Sequence, residues 1–487
     1  MIRIKKSMRR NSLFFVGIAL ITLFFTSCIG SGSSVVTGGE VTGLGATPIR
    51  EPAPYGMKLV KRGSLNIGDD SVDSLWGIIS TPKEISVESF WMDEKEVSNA
   101  IYRQFVNWVR DSIIRERLAD PAFGGDESFL ITEDKFGEPI EPILNWEKPI
   151  PWSRPDEDQA RAIESVFVRH PFTGEKMLDA SQMNYQYEIF DYTQAALRKN
   201  RLDPLERVRN TDLNVDVPEI VIISKDTAYV DEQGRIVRET VNRPLSGPYD
   251  FVNTYIVNIY PDTTCWINDF QNADNETYTR LYFNHPNYND YPVVGVSWEQ
   301  ANAFCAWRTN YLLAGLGSQA RYVQRYRLPT EAEWEFAARG SKSGKFPWGS
   351  AAPSDENGCF FANFKPEKGN YTKDGSLITT RVGYYSPNSN GLYDMAGNVA
   401  EWTSTAFTES GISLMSDMNP ELKYNAAIED PYSLKKKTVR GGSWKDPEKF
   451  IESAWRTFEY QNEQRSYIGF RCVRTQIGVP GGTKRGR

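Results

Sequence analysis

The sequence predicts an α+β domain with little regular secondary structure and one long insertion. Three features carry this reading. Two helices are announced by capping boxes, Ser297-Trp298-Glu299-Gln300 and Thr330-Glu331-Ala332-Glu333, in which a hydroxyl and a longer polar side chain three residues on satisfy each other's free N–H groups. Between them and around them the apolar runs are short and separated by Gly, Asn and Pro, as short strands and turns require. The stretch from about 111 to 285 is acidic, broken by prolines and irregular, unlike the segments on either side.

In chain order, the first segment does not belong to the fold. Arg3, Lys5, Lys6, Arg9 and Arg10 precede an apolar run from Leu13 to Phe25, and Phe25-Thr26-Ser27-Cys28 follows. A run this short suits a signal peptide rather than a spanning helix, which needs about 20 residues. We read residues 1–27 as a lipoprotein signal, with Met1 or Met8 as its start, and Cys28 as the acylated residue. An ordinary secretory signal with an incidental cysteine is the alternative. Residues 28–50, rich in Gly, Ser and Thr, read as a flexible tether. Met57 to Val60 and Ser64 to Gly68 read as strands about a turn at Arg62-Gly63, and Ile85 to Met92 as a third strand. Ser98 to Val109 reads as a helix with Ile101, Phe105, Trp108 and Val109 on one face.

Within the insertion, Thr193 to Asn200 has helical character, while Glu219 to Ser224 and Thr227 to Val237 suggest a β-hairpin. The second half, 291–475, resumes the ordered pattern. Trp334, Ala337 and Ala338 fall inside the second capped helix, and Gly340 ends it. Glu331, Glu333 and Glu335 sit at that helix start, which favours capping and dipole roles over acid catalysis. Residues 476–487, with Gly478 onward rich in glycine and basic residues, read as a disordered tail.

Composition excludes several activities. With residues 1–27 removed, which carry five basic residues and no acidic one, the formal net charge moves from −7 to −12. A chain this acidic does not suit a nucleic-acid backbone. His170 and His285 are the only histidines, so a multi-histidine metal site or HExxH protease is out of reach. Cys28 aside, the cysteines are Cys265, Cys305, Cys359 and Cys472; no CxxC pair or GxSxG elbow occurs.

Several ordered motifs together carry a family resemblance. They are Glu96-Val97-Ser98-Asn99, Tyr291-Pro292-Val293-Val294-Gly295-Val296-Ser297-Trp298, Arg327-Leu328-Pro329-Thr330-Glu331-Ala332-Glu333-Trp334-Glu335, Pro347-Trp348-Gly349, Gly391-Leu392-Tyr393-Asp394-Met395-Ala396-Gly397-Asn398-Val399-Ala400-Glu401-Trp402, Arg440-Gly441-Gly442-Ser443-Trp444 and Gly469-Phe470-Arg471-Cys472. The chain resembles the formylglycine-generating enzyme (sulfatase-modifying factor) family, which implies over residues 51–475 a fold related to C-type lectins. That family oxidises a cysteine with copper held by two cysteines between the last two motifs. Here Lys445 to Ile468 contains none, and Asp446 and Ile451 stand where the thiols would be. A soft Cu(I) site needs thiolates, so the resemblance implies a pseudoenzyme with no copper and no catalytic residue. It also implies two calcium sites, one at Asn363, Phe364, Asp374 and Ser376, the other at Asp394, Gly397, Val399 and Glu401. By spacing alone these are solvated acidic turns; all-oxygen ligation fits a hard cation. A Cys305–Cys472 disulfide is implied as well, two buried free thiols being the other reading.

Glu96 to Arg103, Tyr260 to Phe270, Asn363-Phe364-Lys365-Pro366 and Arg465 to Arg471 further resemble the gliding-motility lipoproteins of the GldK/PorK type. This implies a lipid-anchored component on the periplasmic face of the outer membrane, self-associating into a ring of the type IX secretion machinery with a GldN/PorN-type partner. Ile29 to Ser34 carry no acidic residue, in keeping with that face. A lectin-like binder of peptidoglycan or another glycan is the competing expectation, and a formylglycine-generating oxidase the weakest.

Overall fold

The computed structural model describes residues 53–68, 82–207, 220–231, 233–317, 320, 323–342 and 344–477. The expected signal, Cys28, the tether and the tail from residue 478 lie outside the described residues. Ser98 caps the first long helix, its side chain accepting from the Ile101 N–H, and the helix runs Asn99–Ala119, ten residues past the expected end at Val109. The extension follows from Ile114 and Leu118, which bury a second apolar face against Phe129, Ala162 and Val166. The second helix, Trp298–Leu316, and the third, Glu331–Arg339, both begin in the expected capping boxes. Gly340 ends the latter at φ +58, a conformation in which a side chain would be strained.

Two four-stranded sheets organise the rest. The first runs Met57–Val60, Phe90–Asp93, Val473–Thr475, Tyr326–Arg327, all antiparallel. The second runs Thr457–Tyr460, Lys436–Arg440, Ala400–Ala406, Ile468–Gly469, with the last pair parallel. Met57–Val60 and Gly63–Ile67 do not pair with each other across Arg62-Gly63, as a simple hairpin would. Gly63–Ile67 pairs with Lys83–Val87 instead. The expected strand Ile85 to Met92 is therefore two strands, broken at Glu88-Ser89, each serving a different sheet.

The main core lies between the first two long helices. Tyr102 stacks on Phe304 (5.6 Å between centroids, 14° between planes), and Phe470 meets both rings edge-on. Burying each such ring is worth about 1.5–3 kcal/mol. The insertion shares this core. Its strands Asn184–Phe190 and Val252–Asn258 pair antiparallel and place Tyr185, Tyr187 and Val257 in the same cluster. The hairpin expected near 219–237 exists, but its turn is at 231–235: Ile222–Val230 continues through residues 225–226 and pairs with Ile236–Pro244. Thr227 to Val237 is split by that turn, which Asp231 holds by accepting from the Gln233 and Arg235 N–H groups. The helix expected at 193–200 is a short one, Tyr192–Ala196, followed by a 3-10 turn.

Candidate functional site

The conserved-looking motifs of the sequence converge where the two sheets meet. After the strand Phe90–Asp93 the chain is pinned by Val97 N–H donating to the Phe470 carbonyl (2.9 Å), which turns the Glu96 side chain inward. Glu96 is 1 % exposed, and its carboxylate accepts from Asn398 Nδ2 (2.7 Å) and Val399 N–H (3.2 Å). The segment 391–402 supplies the rest. Asp394 (φ +53) and Asn398 (φ +60) both adopt the left-handed region that a side chain rarely tolerates. Gly397 between them lies so close to Asn363 that a Cβ there would stand 2.2 Å from its carbonyl oxygen.

This tight loop gathers Glu96, Asp394 and Glu401 against one guanidinium. Arg471, fully buried, binds Glu401 with both Nε and Nη2, and Trp334 Nε1 donates to the same carboxylate (2.8 Å). Asp394 accepts from Gly383 N–H through Oδ2 (2.5 Å), while its buried Oδ1 has no partner. Burial, with Asp394 and Glu401 as like-charged neighbours, pushes the Glu96 carboxyl well above its ordinary value. Burial also lifts Asp394 to about 6 despite its hydrogen bond from Gly383. An excess of buried negative charge and an orphaned carboxylate oxygen are what a hard cation would satisfy.

The first expected calcium loop is also assembled. Phe364 N–H donates to Asp374 Oδ2 (2.7 Å) and Ser376 N–H to Oδ1 (3.1 Å). Asn363 Nδ2 donates to the Ile378 carbonyl (2.9 Å), and its amide oxygen takes no hydrogen bond from a described residue. Burial raises the Asp374 carboxyl. In the second expected set, Asp394, Gly397 and Val399 line one loop, while Glu401 is already occupied as the counter-ion of Arg471. Sequence reasoning missed Glu96. A carboxylate two residues before an N-cap reads as a surface charge, and only the Val97–Phe470 pairing turns it inward.

At the position of the missing thiols, Asp446 Oδ2 accepts from Ser443 N–H (3.0 Å) and Oγ (2.6 Å), and Oδ1 pairs with Lys445. Ile451 is fully buried beside Phe346, Phe364 and Ala396. A carboxylate that closes a turn and an aliphatic core residue supply no thiolate. Cys305 and Cys472, the expected partners, are brought together as free thiols with Sγ to Sγ at 3.4 Å. Among the described residues, no group of three His, Cys, Asp or Glu side chains is placed to hold a metal on its own. Any cation would therefore need backbone carbonyls.

The expectation for the acidic helix start needs one correction. Glu333 does close the capping box and also takes a bidentate pair from Arg327. Glu331 and Glu335, however, are fully buried counter-ions rather than solvated dipole partners. Arg440 reaches both, Arg456 binds Glu331 (2.5 and 2.9 Å), and Arg339 binds Glu335 (2.7 Å). Burial alone would raise Glu331, but Arg456 and Arg440 outweigh it and hold its carboxyl low.

The chain is similar to proteins of matching architecture. The inactive Cα-formylglycine-generating enzyme 2 of Bos taurus is 35% identical over 159 residues, 32% of this chain and 40% of that one. The formylglycine-generating enzyme of Mus musculus is 34% identical over 192 residues, 38% of this chain and 44% of that one. This chain thus spans about two fifths of the length of the curated relatives it matches. Among solved structures, PvdO from Pseudomonas aeruginosa is 15% identical with a TM-score of 0.41, covering 86% of this chain and 94% of that one. The model of the sulfatase-modifying factor enzyme 1-like domain matches residues 46–476, and the chain belongs to that family.

Proposed function

We propose that this protein is a non-catalytic member of its family, an outer-membrane lipoprotein anchored through Cys28 that serves as a ring-forming core component of a type IX secretion (gliding-motility) machine. The observation that carries the non-catalytic reading is the pair Asp446 and Ile451, one closing a turn and the other filling the core where a copper site needs two thiolates. The likeness to an inactive formylglycine-generating relative supports it. The anchoring and secretion role rests on the lipobox-like segment and the GldK/PorK-type motifs, with a GldN/PorN-type periplasmic partner.

Two experiments test this. Purified mature protein should hold no stoichiometric copper and convert no cysteine of a sulfatase peptide to formylglycine; turnover would overturn the non-catalytic reading. Pull-down from membranes with the full chain as bait, followed by electron microscopy, should recover a ring with one periplasmic partner. Monomeric protein bound to peptidoglycan sacculi would instead support the lectin-like reading. Calcium is part of the same proposal, with Glu96, Asp394 and the Gly397 and Val399 carbonyls as one ligand set and Asn363, Phe364, Asp374 and Ser376 as the other. The ion would neutralise buried charge and fix the 391–402 loop. In an oxidising envelope the Cys305 and Cys472 thiols, already in contact, would close to a disulfide, read as the loss of two hydrogens in intact mass.

A further inference from the structure

A cavity of about 400 Å³ opens between the insertion and the second sheet, well away from the carboxylate cluster. Its walls come from the strands Asn184–Phe190, Ile222–Val230, Ile236–Pro244 and Val252–Asn258 on one side. The start of the helix Trp298–Leu316 and the segment 421–429 close the other. Tyr187, Tyr255, Trp298 and Tyr424 make it aromatic, and its size is that of a small-ligand site.

One wall residue is out of balance. Lys437, on the strand Lys436–Arg440, is 0 % exposed. Its ammonium donates to the Tyr424 carbonyl and sits 3.8 Å from the centroid of the Trp298 ring, two groups that also line the cavity. Glu299 and Glu421 are the carboxylates nearest in effect to it, and each has a further partner; Glu239 and Glu429 also line the cavity. Glu299 is paired with Arg238 (2.5 Å) and accepts from Gln461, while Glu421 is paired with Lys423 (3.1 Å) and accepts from Ser404. Asp226 accepts from Thr240 and Tyr255 across the cavity. Lys437 is therefore a buried amine with donor capacity to spare and, among the described residues, no carboxylate in direct ion-pair contact. Burial pushes its amine down to about 7, and the nearby Glu299 and Glu421 offset that only in part. A buried ammonium is ordinarily paired, because desolvation otherwise favours its neutral form.

We propose that this cavity binds a carboxylate-bearing ligand with an aromatic or apolar body, the carboxylate pairing with the Lys437 ammonium as it turns from the Tyr424 carbonyl into the cavity and the body lying among the tyrosines. A free aromatic acid and the C-terminal carboxylate of a peptide share this chemistry. A charge-assisted bond to the ammonium supplies the anchor, and the aromatic walls supply the contact area.

The test is calorimetric titration of the full mature chain at pH 7.5 with 2-naphthoate, indole-3-acetate and an N-acetylated tripeptide ending in Phe, each beside its neutral amide. At least one acid should fill a single site at least tenfold more tightly than its amide, and which one separates the small acid from the peptide end. Proton uptake should accompany binding, seen by repeating the titration in buffers of different ionisation enthalpy. Lys437→Met, which keeps an unbranched side chain one atom shorter and removes the charge, should lower the acid to the level of its amide. Thr254→Trp, which fills the cavity and leaves Lys437 in place, should abolish both. Equal binding of acid and amide, unchanged binding by Lys437→Met, or no binding by any acid of the set would overturn the proposal.

Discussion

Two clusters of buried charge meet the strand Ala400–Ala406, and they are built to opposite rules. Beside Thr405, Glu331 and Glu335 face Arg440, Arg456 and Arg339, so every carboxylate has a guanidinium and the excess is positive. Around Glu401, three carboxylates share Arg471, with only the more distant Lys95 to help. The first cluster is complete as protein. The second is complete only if protons or a cation are added, and its strained Asp394 and Asn398 backbones show that the chain holds it in that state at a cost. Motif matching treats both clusters alike; counting charges separates a network rich in guanidinium from one short of positive charge.

The largest effect should come from removing the one cation of the deficient cluster. Arg471→Met leaves Glu401 buried and unpaired, which should cost roughly 3–5 kcal/mol, measured as the urea midpoint of the full chain. Adding Glu401→Gln to it should recover much of that loss. Next comes the charge excess itself. Asp394 holds its proton to about 6 in the folded state against an ordinary 3.8. In metal-free protein the Asp394 contribution should thus be fully present below the unfolded value and be lost as pH rises from about 4 to about 6, by on the order of 3 kcal/mol. Asp394→Asn should be more stable than the parent at pH 7.5 without calcium and no more stable at pH 4. Calcium should raise the Tm of the parent at pH 7.5 and raise that of Asp394→Asn less, through the Asp374 site alone. An equal calcium response in both proteins would remove Asp394 from the ligand set.

The balanced cluster should answer with the opposite sign. Glu331 is held low by its arginines, so its contribution is present above the unfolded value and lost as pH falls through the folded one. Glu331→Gln should therefore flatten the acid limb of the stability curve and leave the calcium response intact. The smallest effect should be at the cap of the same helix. Thr330→Ala removes one hydrogen bond to the Glu333 N–H and should cost about 1 kcal/mol, with no change in calcium response.

Local chemistry was legible in the sequence where it closes within a few residues. The capping boxes at Ser297 and Thr330, the N-cap Ser98 and the stop at Gly340 are all where residue type and spacing place them. Pairing over distance was not. Nothing near Gly63 says that its partner is Val87 rather than Val60, and nothing near Asp446 reveals that it closes a turn. The insertion was the least legible part. Its acidic, proline-broken composition suggests something separable, and on that reading deletion of residues 111–285 should leave a folded domain. Yet Tyr185, Tyr187 and Val257 are built into the main core, and the helix Asn99–Ala119 crosses the proposed boundary. Deleting that whole stretch would open the core. The cut that tests assembly is the outer hairpin, 220–246, which leaves the paired strands Asn184–Phe190 and Val252–Asn258 in place.

The strand Val473–Thr475 lies inside the first sheet, between Phe90–Asp93 and Tyr326–Arg327. Cys472 N–H donates to Asp93, and Arg471 completes the charge cluster from the same short stretch. A ribosome releases these residues after nearly everything they bind. Sheet, core and ion cluster therefore stay open throughout synthesis, closing a loop of almost four hundred residues at the end. Under the export proposed above, lateness of this kind is an advantage: the polypeptide remains extensible until the strand Val473–Thr475 is delivered.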